Sequence, residues 1–155
     1  DIYMPFLETL RLLLENTLRQ FGKAILIDCH SMPSTPGLTG DNEHDRPDIV
    51  LGDRYGTACA PGLIERTESI LQAMGYRVAR NNPYAGGFNT EHYGAPAHGL
   101  HALQIEINRT LYMNEHTVER TRGINKLSKD MTHLVQELGR DVRKGLSLEP
   151  HRRAS

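Results

Sequence analysis

Two short stretches carry residue types that could do chemistry. In "ILIDCHSMPS" (25–34), Asp28 and His30 stand two residues apart where an apolar run breaks into Pro and Ser. In "LQIEINR" (103–109), Glu106 sits between Ile105 and Ile107, with Arg109 three residues on. Residues two apart in a strand share a face, so Asp28 and His30 point the same way. A neutral imidazole is a common metal ligand, and a carboxylate beside it can fix its tautomer. A glutamate inside an apolar strand is costly to ionise, so it is normally paired or given a task. With a zinc-bound water nearby, Glu106 would serve as general base, and Arg109 offers a planar fork for a substrate carboxylate. The plainer alternative makes His30 a hydrogen-bonded strand-end histidine and Glu106 an ion-pair partner of Arg109 or Arg80.

The remaining candidates are weaker. His44, His92, His98 and His101 lie in or beside loops without HxxxH or HExxH spacing, so they read as surface histidines. Cys29 points to the opposite strand face from its neighbours and is expected in the core. With Cys59 it forms no CxxC pair and no disulfide framework, which fits a reducing cytoplasm. No GxSxG elbow and no glycine-rich phosphate loop occur, which argues against that class of serine hydrolase and against kinase and dinucleotide chemistry. Gly86–Gly87 would let backbone approach a ligand closely or simply make a turn.

The elements that must position these groups follow from periodicity. Phe6, Leu7, Leu10, Leu13, Leu14, Leu18 and Phe21 have helical spacing, and predict a helix over about 4–20 ended by Gly22. A second helix is expected over 61–74 before Gly75, and a third over 115–138 with Val118, Ile124, Leu127, Met131, Leu134, Val135 and Leu138 inward. "KAILID", "PDIVLGD", "YRVARN" and "ALQIEIN" read as strands, and 31–47 and 82–101 as long loops. Strands alternating with helices predict an α/β layered sheet, mostly parallel, in one domain over 1–155. In such a sheet the carboxyl ends of all four strands would meet at one edge, bringing Asp28, His30, Asp53, Arg80, Asn82, Glu106 and Arg109 together.

A formal charge of −1 gives no electrostatic case for nucleic acid as a partner. The one basic cluster, "RDVRKGLSLEPHRRAS", reads as a solvated helix end and terminus. No apolar run is long enough to span a membrane as a helix. The chain opens on Asp1 and enters an amphipathic helix within a few residues, as a fragment of a longer protein would.

"LIDCHSMPS", "RPDIVLGDRYGTAC" and "NPYAGGFNTEHYGAPAHGLHALQIEINRTLYMNE" together resemble the N-formylglutamate amidohydrolase family, from about Phe6 to Thr132. The resemblance implies a three-layer α/β/α fold with a mixed, mostly parallel sheet, similar to zinc carboxypeptidases and aspartoacylases. It also implies one zinc per complete site and cytoplasmic hydrolysis of the N-formyl amide of glutamate, a small-molecule substrate, in histidine degradation. Carried over, His30 becomes a zinc ligand, Glu106 the general base and Arg109 a substrate-binding residue, with Asn82, Tyr84 and Gly87 lining the pocket. The family's His-Ser-Gly segment is not present, so the chain resembles a C-terminal portion and on its own is expected to bind zinc poorly. A related N-acyl amino acid deacylase and a metal-free binding module are the alternatives.

Overall fold

A computed structural model describes residues 2–35 and 46–149. Leu7, Leu10, Leu14 and Leu18 recur at helical spacing in α1 (Tyr3–Phe21), and pack with Ala24, Leu26, Leu100 and Tyr93. Gly22 closes α1 with φ 72°, its N–H donating to the Leu18 carbonyl. Phe6, Leu13 and Phe21, expected on the packed stripe, are exposed instead. The chain then runs through β1 (Ala24–Met32), β2 (Ile49–Gly52), α2 (Pro61–Ala73), β3 (Val78–Arg80), α3 (Phe88–Tyr93) and β4 (Leu100–Asn108). A two-stranded hairpin, β5 (Met113–Asn114) with β6 (Glu119–Arg120), precedes α4 (Gly123–Arg143).

The four main strands lie in the order β1-β4-β2-β3. β1 pairs parallel with β4, and β2 parallel with β3, but β2 runs antiparallel to β4. The sheet is therefore mixed and mostly parallel, as expected. Alternation sorts its residues. Odd-numbered Ile49, Leu51, Leu103, Ile105 and Ile107 pack under α2 and α4 with Leu63, Leu71, Leu127 and Leu134. Each such fully buried side chain contributes roughly 1.5–3 kcal/mol. Even-numbered residues of β1 and β4 face α1 and α3, giving three layers. α1 covers this face only at the start of β1 and β4, around Ala24, Leu26 and Leu100. The later even positions, Asp28, His30, Gln104 and Glu106, are left for polar work.

Several expectations change. The third long helix begins at Gly123 rather than 115, because Asn114 Oδ1 accepts from the His116 and Thr117 N–H groups and bends the chain into the β5–β6 hairpin. Val118, expected inward, sits exposed in that turn with φ 59°, and Val135 on α4 is also exposed. The 82–101 loop contains α3 and a single 3-10 turn at Pro96–His98. Among the described residues β1 lies at the edge of the sheet, and Cys29 near its end, expected in the core, is exposed. His101 is not a surface histidine: it is 2% exposed within β4, and its Nδ1 accepts from the Ala60 N–H at the start of α2. His92 and His98 are exposed as expected, and His44 lies outside the described residues. No helix among the described residues is long and apolar enough to cross a membrane.

Candidate active site

The reversed direction of β2 decides which strand ends can cooperate. β1 and β4 run together, so His30 is registered beside Glu106 and Asp28 beside Gln104. β2 and β3 end elsewhere: Gly52 lies beside Gln104, and Arg80 beside Leu51 on the opposite face, where its guanidinium pairs with Glu68 on α2. The four carboxyl ends thus do not share one edge, and Arg80 takes no part in the site. Asp53 is buried and clamped by Asn81, whose side chain donates to Asp53 Oδ1 at 2.8 Å and accepts from the Asp53 N–H at 3.1 Å.

On the β1–β4 face the polar groups form two linked chains. His30 Nε2 meets Asp28 Oδ2 at 3.0 Å, and Asn89 of α3 donates to Asp28 Oδ1 at 3.3 Å. In the neutral ring, a carboxylate acceptor at Nε2 selects the tautomer whose Nδ1 lone pair is available to a metal ion. The imidazole remains substantially open to solvent, whereas Asp28 is largely covered. In the second chain, the Gly87 N–H donates to Gln104 Oε1 at 2.6 Å, and Gln104 Nε2 donates to Glu106 Oε1 at 2.9 Å. One carboxylate oxygen of Glu106 is thereby fixed.

Glu106 is 7% exposed, and burial pushes its carboxyl above the ordinary value of 4.5. The neighbouring His30 pulls it back down, Asp28 raises it, and Arg109 and the Gln104 hydrogen bond lower it. Among the described residues Glu106 forms an ion pair with neither Arg109 nor Arg80. Arg109 donates to Ser31 Oγ at 3.3 Å and lies 4.0 Å from Glu115. Glu115 in turn holds the Ser34 backbone N–H at 3.0 Å and the Ser34 hydroxyl. Arg109 therefore stands at the rim, beyond the end of β4.

The sequence-predicted pocket residues separate in the same way. Gly87 reaches the centre through Gln104, while Tyr84 is half-buried and Asn82 exposed on the segment between β3 and α3. That segment is seated by close packing. A Cβ on Gly52 would stand 2.6 Å from Gly86 N and 2.7 Å from the Ala85 carbonyl carbon, so backbone rests directly on β2. Gly86 has φ +118°, which favours glycine. Sequence reasoning missed Gln104 and Asn89. Gln104 carried a usable signal, as a second polar residue two positions before Glu106 in an apolar strand. Asn89 carried none, because the six residues of α3 are too few to show a helical period.

The donor set fits a metal ion in part. His30 presents one free ring nitrogen beside an orienting carboxylate, as a zinc-binding histidine does. Among the described residues no three His, Cys, Asp or Glu groups converge on one point, whereas a catalytic zinc takes about three protein ligands.

A sequence model of N-formylglutamate amidohydrolase matches residues 1–113. N-formylglutamate deformylases of Pseudomonas putida and Pseudomonas aeruginosa are 39% and 34% identical over 116 residues, covering 74% of this chain and 43% of each relative. The chain thus spans less than half the length of the curated relatives it matches. The crystal structure of N-formylglutamate amidohydrolase from Ralstonia eutropha superposes with a TM-score of 0.82 at 38% identity, over 92% of this chain and 52% of that one. The gene product Atu2144 from Agrobacterium tumefaciens, at 17% identity and a TM-score of 0.65, shares the fold. On the family match and the two deformylase relatives, the chain belongs to the N-formylglutamate amidohydrolase family.

Proposed function

We propose that these residues are part of a hydrolytic site that cleaves the N-formyl amide of glutamate, releasing formate and glutamate. The observation that carries this reading is Glu106: a buried carboxylate on the His30 face, held at one oxygen by Gln104 and paired with no cation among the described residues. Such a group is arranged to move a proton rather than to hold the fold together. Its free oxygen takes a proton from the water that attacks the formyl carbon. It then hands that proton to the departing nitrogen as the C–N bond breaks. Asp28 holds the His30 ring so that Nδ1 faces outward, and His30 is the chain's ligand for one zinc. When bound, that ion supplies Lewis-acid polarisation of the formyl oxygen. Arg109 receives a substrate carboxylate at the rim, and the segment carrying Asn82, Tyr84 and Gly87 forms the pocket wall.

The relatives named for N-formylglutamate favour formyl over larger acyl groups. The partial donor set favours one rival, a binding module without turnover. Formate release from N-formyl-L-glutamate, compared with acetate release from N-acetyl-L-aspartate in protein supplied with zinc, separates the readings. Preferential formate release is expected. Preferential acetate release assigns a related deacylase, and neither activity in protein that retains no zinc assigns the binding module.

A further inference from the structure

Arg46 is a buried cation that meets no counter-charge among the described residues. The residue is 6% exposed, its Nη1 donates to the Pro33 carbonyl, and its Nε meets no acceptor. Other arginines of the chain differ: Arg54 pairs with Glu91, Arg66 with Asp141, Arg77 with Asp48 and Arg80 with Glu68. Arg46 enters no ion pair among the described residues. A guanidinium cannot shed its proton, so burying one against a single carbonyl is costly unless an anion completes its surroundings.

Its location identifies the anion. Asn108, the last residue of β4, donates its N–H to the Asp48 carbonyl at 2.9 Å and its side-chain amide to the Pro47 carbonyl at 3.3 Å. Pro33, which holds the guanidinium, follows Met32, and Met32 is registered beside Asn108. Arg46 is therefore pinned where β1 and β4 end. Met32 and Asn108 share a face with His30 and Glu106 and lie one two-residue step beyond them, about 7 Å along the strands. In an extended N-formylglutamate the side-chain carboxyl carbon lies about 6 Å from the formyl carbon, by standard bond lengths. With the formyl group at Glu106, a substrate lying along β4 would bring its distal carboxylate to the level of Arg46.

We propose that Arg46 receives the side-chain carboxylate of the substrate and so selects acidic N-acyl amino acids over neutral ones. The assignment rests on the amidohydrolase reading of the Glu106 face, and it leaves Arg109 for the α-carboxylate. An arginine fork held by one backbone carbonyl still offers its remaining N–H groups to a carboxylate. An uncharged isostere would leave the buried cation unsatisfied.

The test measures calorimetric binding of N-formyl-L-glutamate and N-formyl-L-glutamine, which differ only in that terminal group, to the wild-type chain, Arg46→Gln and Arg46→Lys. The wild type is expected to prefer the glutamate derivative by about 30-fold or more. Arg46→Gln, checked for folding by far-UV circular dichroism, should bring the two affinities within about threefold by weakening only the glutamate derivative. Arg46→Lys keeps the charge without the fork and should reduce the preference about tenfold; it carries the test if the Gln variant does not fold. Equal affinities in the wild type, no binding of either compound, an unchanged preference in the variants, or equal weakening of both ligands would each overturn the assignment. Hydrolysis is scored separately. An Arg46-dependent preference without turnover in protein that retains zinc refutes the amidohydrolase reading and leaves the carboxylate site standing.

Discussion

Replacing Gly52 by Ala probes the contact that seats the pocket wall. The added Cβ would lie 2.6 Å from Gly86 N, whereas ordinary contact begins at 3.4 Å, so 0.8 Å (3.4 − 2.6) must be found. Neither side yields easily, because both are backbone. Ala85 O accepts from the Arg54 N–H at 2.8 Å, and the Gly87 N–H is bound to Gln104 at 2.6 Å. Overpacking of this kind costs about 1–3 kcal/mol, and stretching one of these hydrogen bonds adds about 1 kcal/mol. The smaller unfolded-state entropy of Ala returns roughly 0.4–1 kcal/mol. The net is a destabilisation of about 1–3.5 kcal/mol. Urea unfolding followed by far-UV circular dichroism suits a chain with no tryptophan. The same shift loosens Gln104 and hence Glu106, so turnover should fall by roughly tenfold to a hundredfold while folded protein remains. A variant within about 0.5 kcal/mol of wild type and equally active would refute the seating of Ala85–Gly87 on β2.

Other perturbations report on separate parts. Gly139 in α4 has open space around its Cβ position, so Gly139→Ala should raise stability by up to about 1 kcal/mol in the same unfolding assay. Burial lowers the His101 pKa below its ordinary 6.5, with Lys23 adding to the effect. The folded state therefore disfavours the charged ring: the His101 contribution is intact above pH 6.5 and is lost as pH falls from there toward the lowered value. Melting temperatures across that range should decline less steeply in His101→Gln. Gln104→Ala, which removes a hydrogen bond to the charged form of Glu106, should move the acid limb of kcat/KM upward. A limb that stays in place would count against Glu106 as the base.

How much of this was legible in the sequence depends on which interaction sets each feature. The four strands and the first two helices were readable because burial imposes period two or 3.6 on apolar residues, and Gly22 and Pro61 mark boundaries. The direction of β2 was not. A short run such as "IVLG" looks the same in either orientation, and its pairing with β4 is fixed by the chain path through tertiary space. That one reversal removed Arg80 and Asp53 from the predicted edge but left His30 and Glu106 side by side, since both belong to the parallel pair. The start of α4 is not legible because Val118 prolongs the apolar run upstream of Ile124, although at about 100° per residue it falls on the opposite side from Leu127, and Arg122 supplies no side-chain cap to mark the boundary. His101 looked like a loop residue because its burial comes from α2 packing across the strand. Arg46 carries no sequence signal at all; only its burial without a counter-charge among the described residues sets it apart.

The central claim, that Glu106 is the proton carrier of an amide hydrolase, is tested most directly by Glu106→Gln. Formate release from N-formyl-L-glutamate would be measured beside zinc content and the far-UV spectrum. The expected outcome is unchanged fold and zinc content with turnover reduced by about 10²–10⁴-fold. Turnover within about threefold of wild type would contradict it, and would return Glu106 to being a buried carboxylate with a structural hydrogen bond to Gln104.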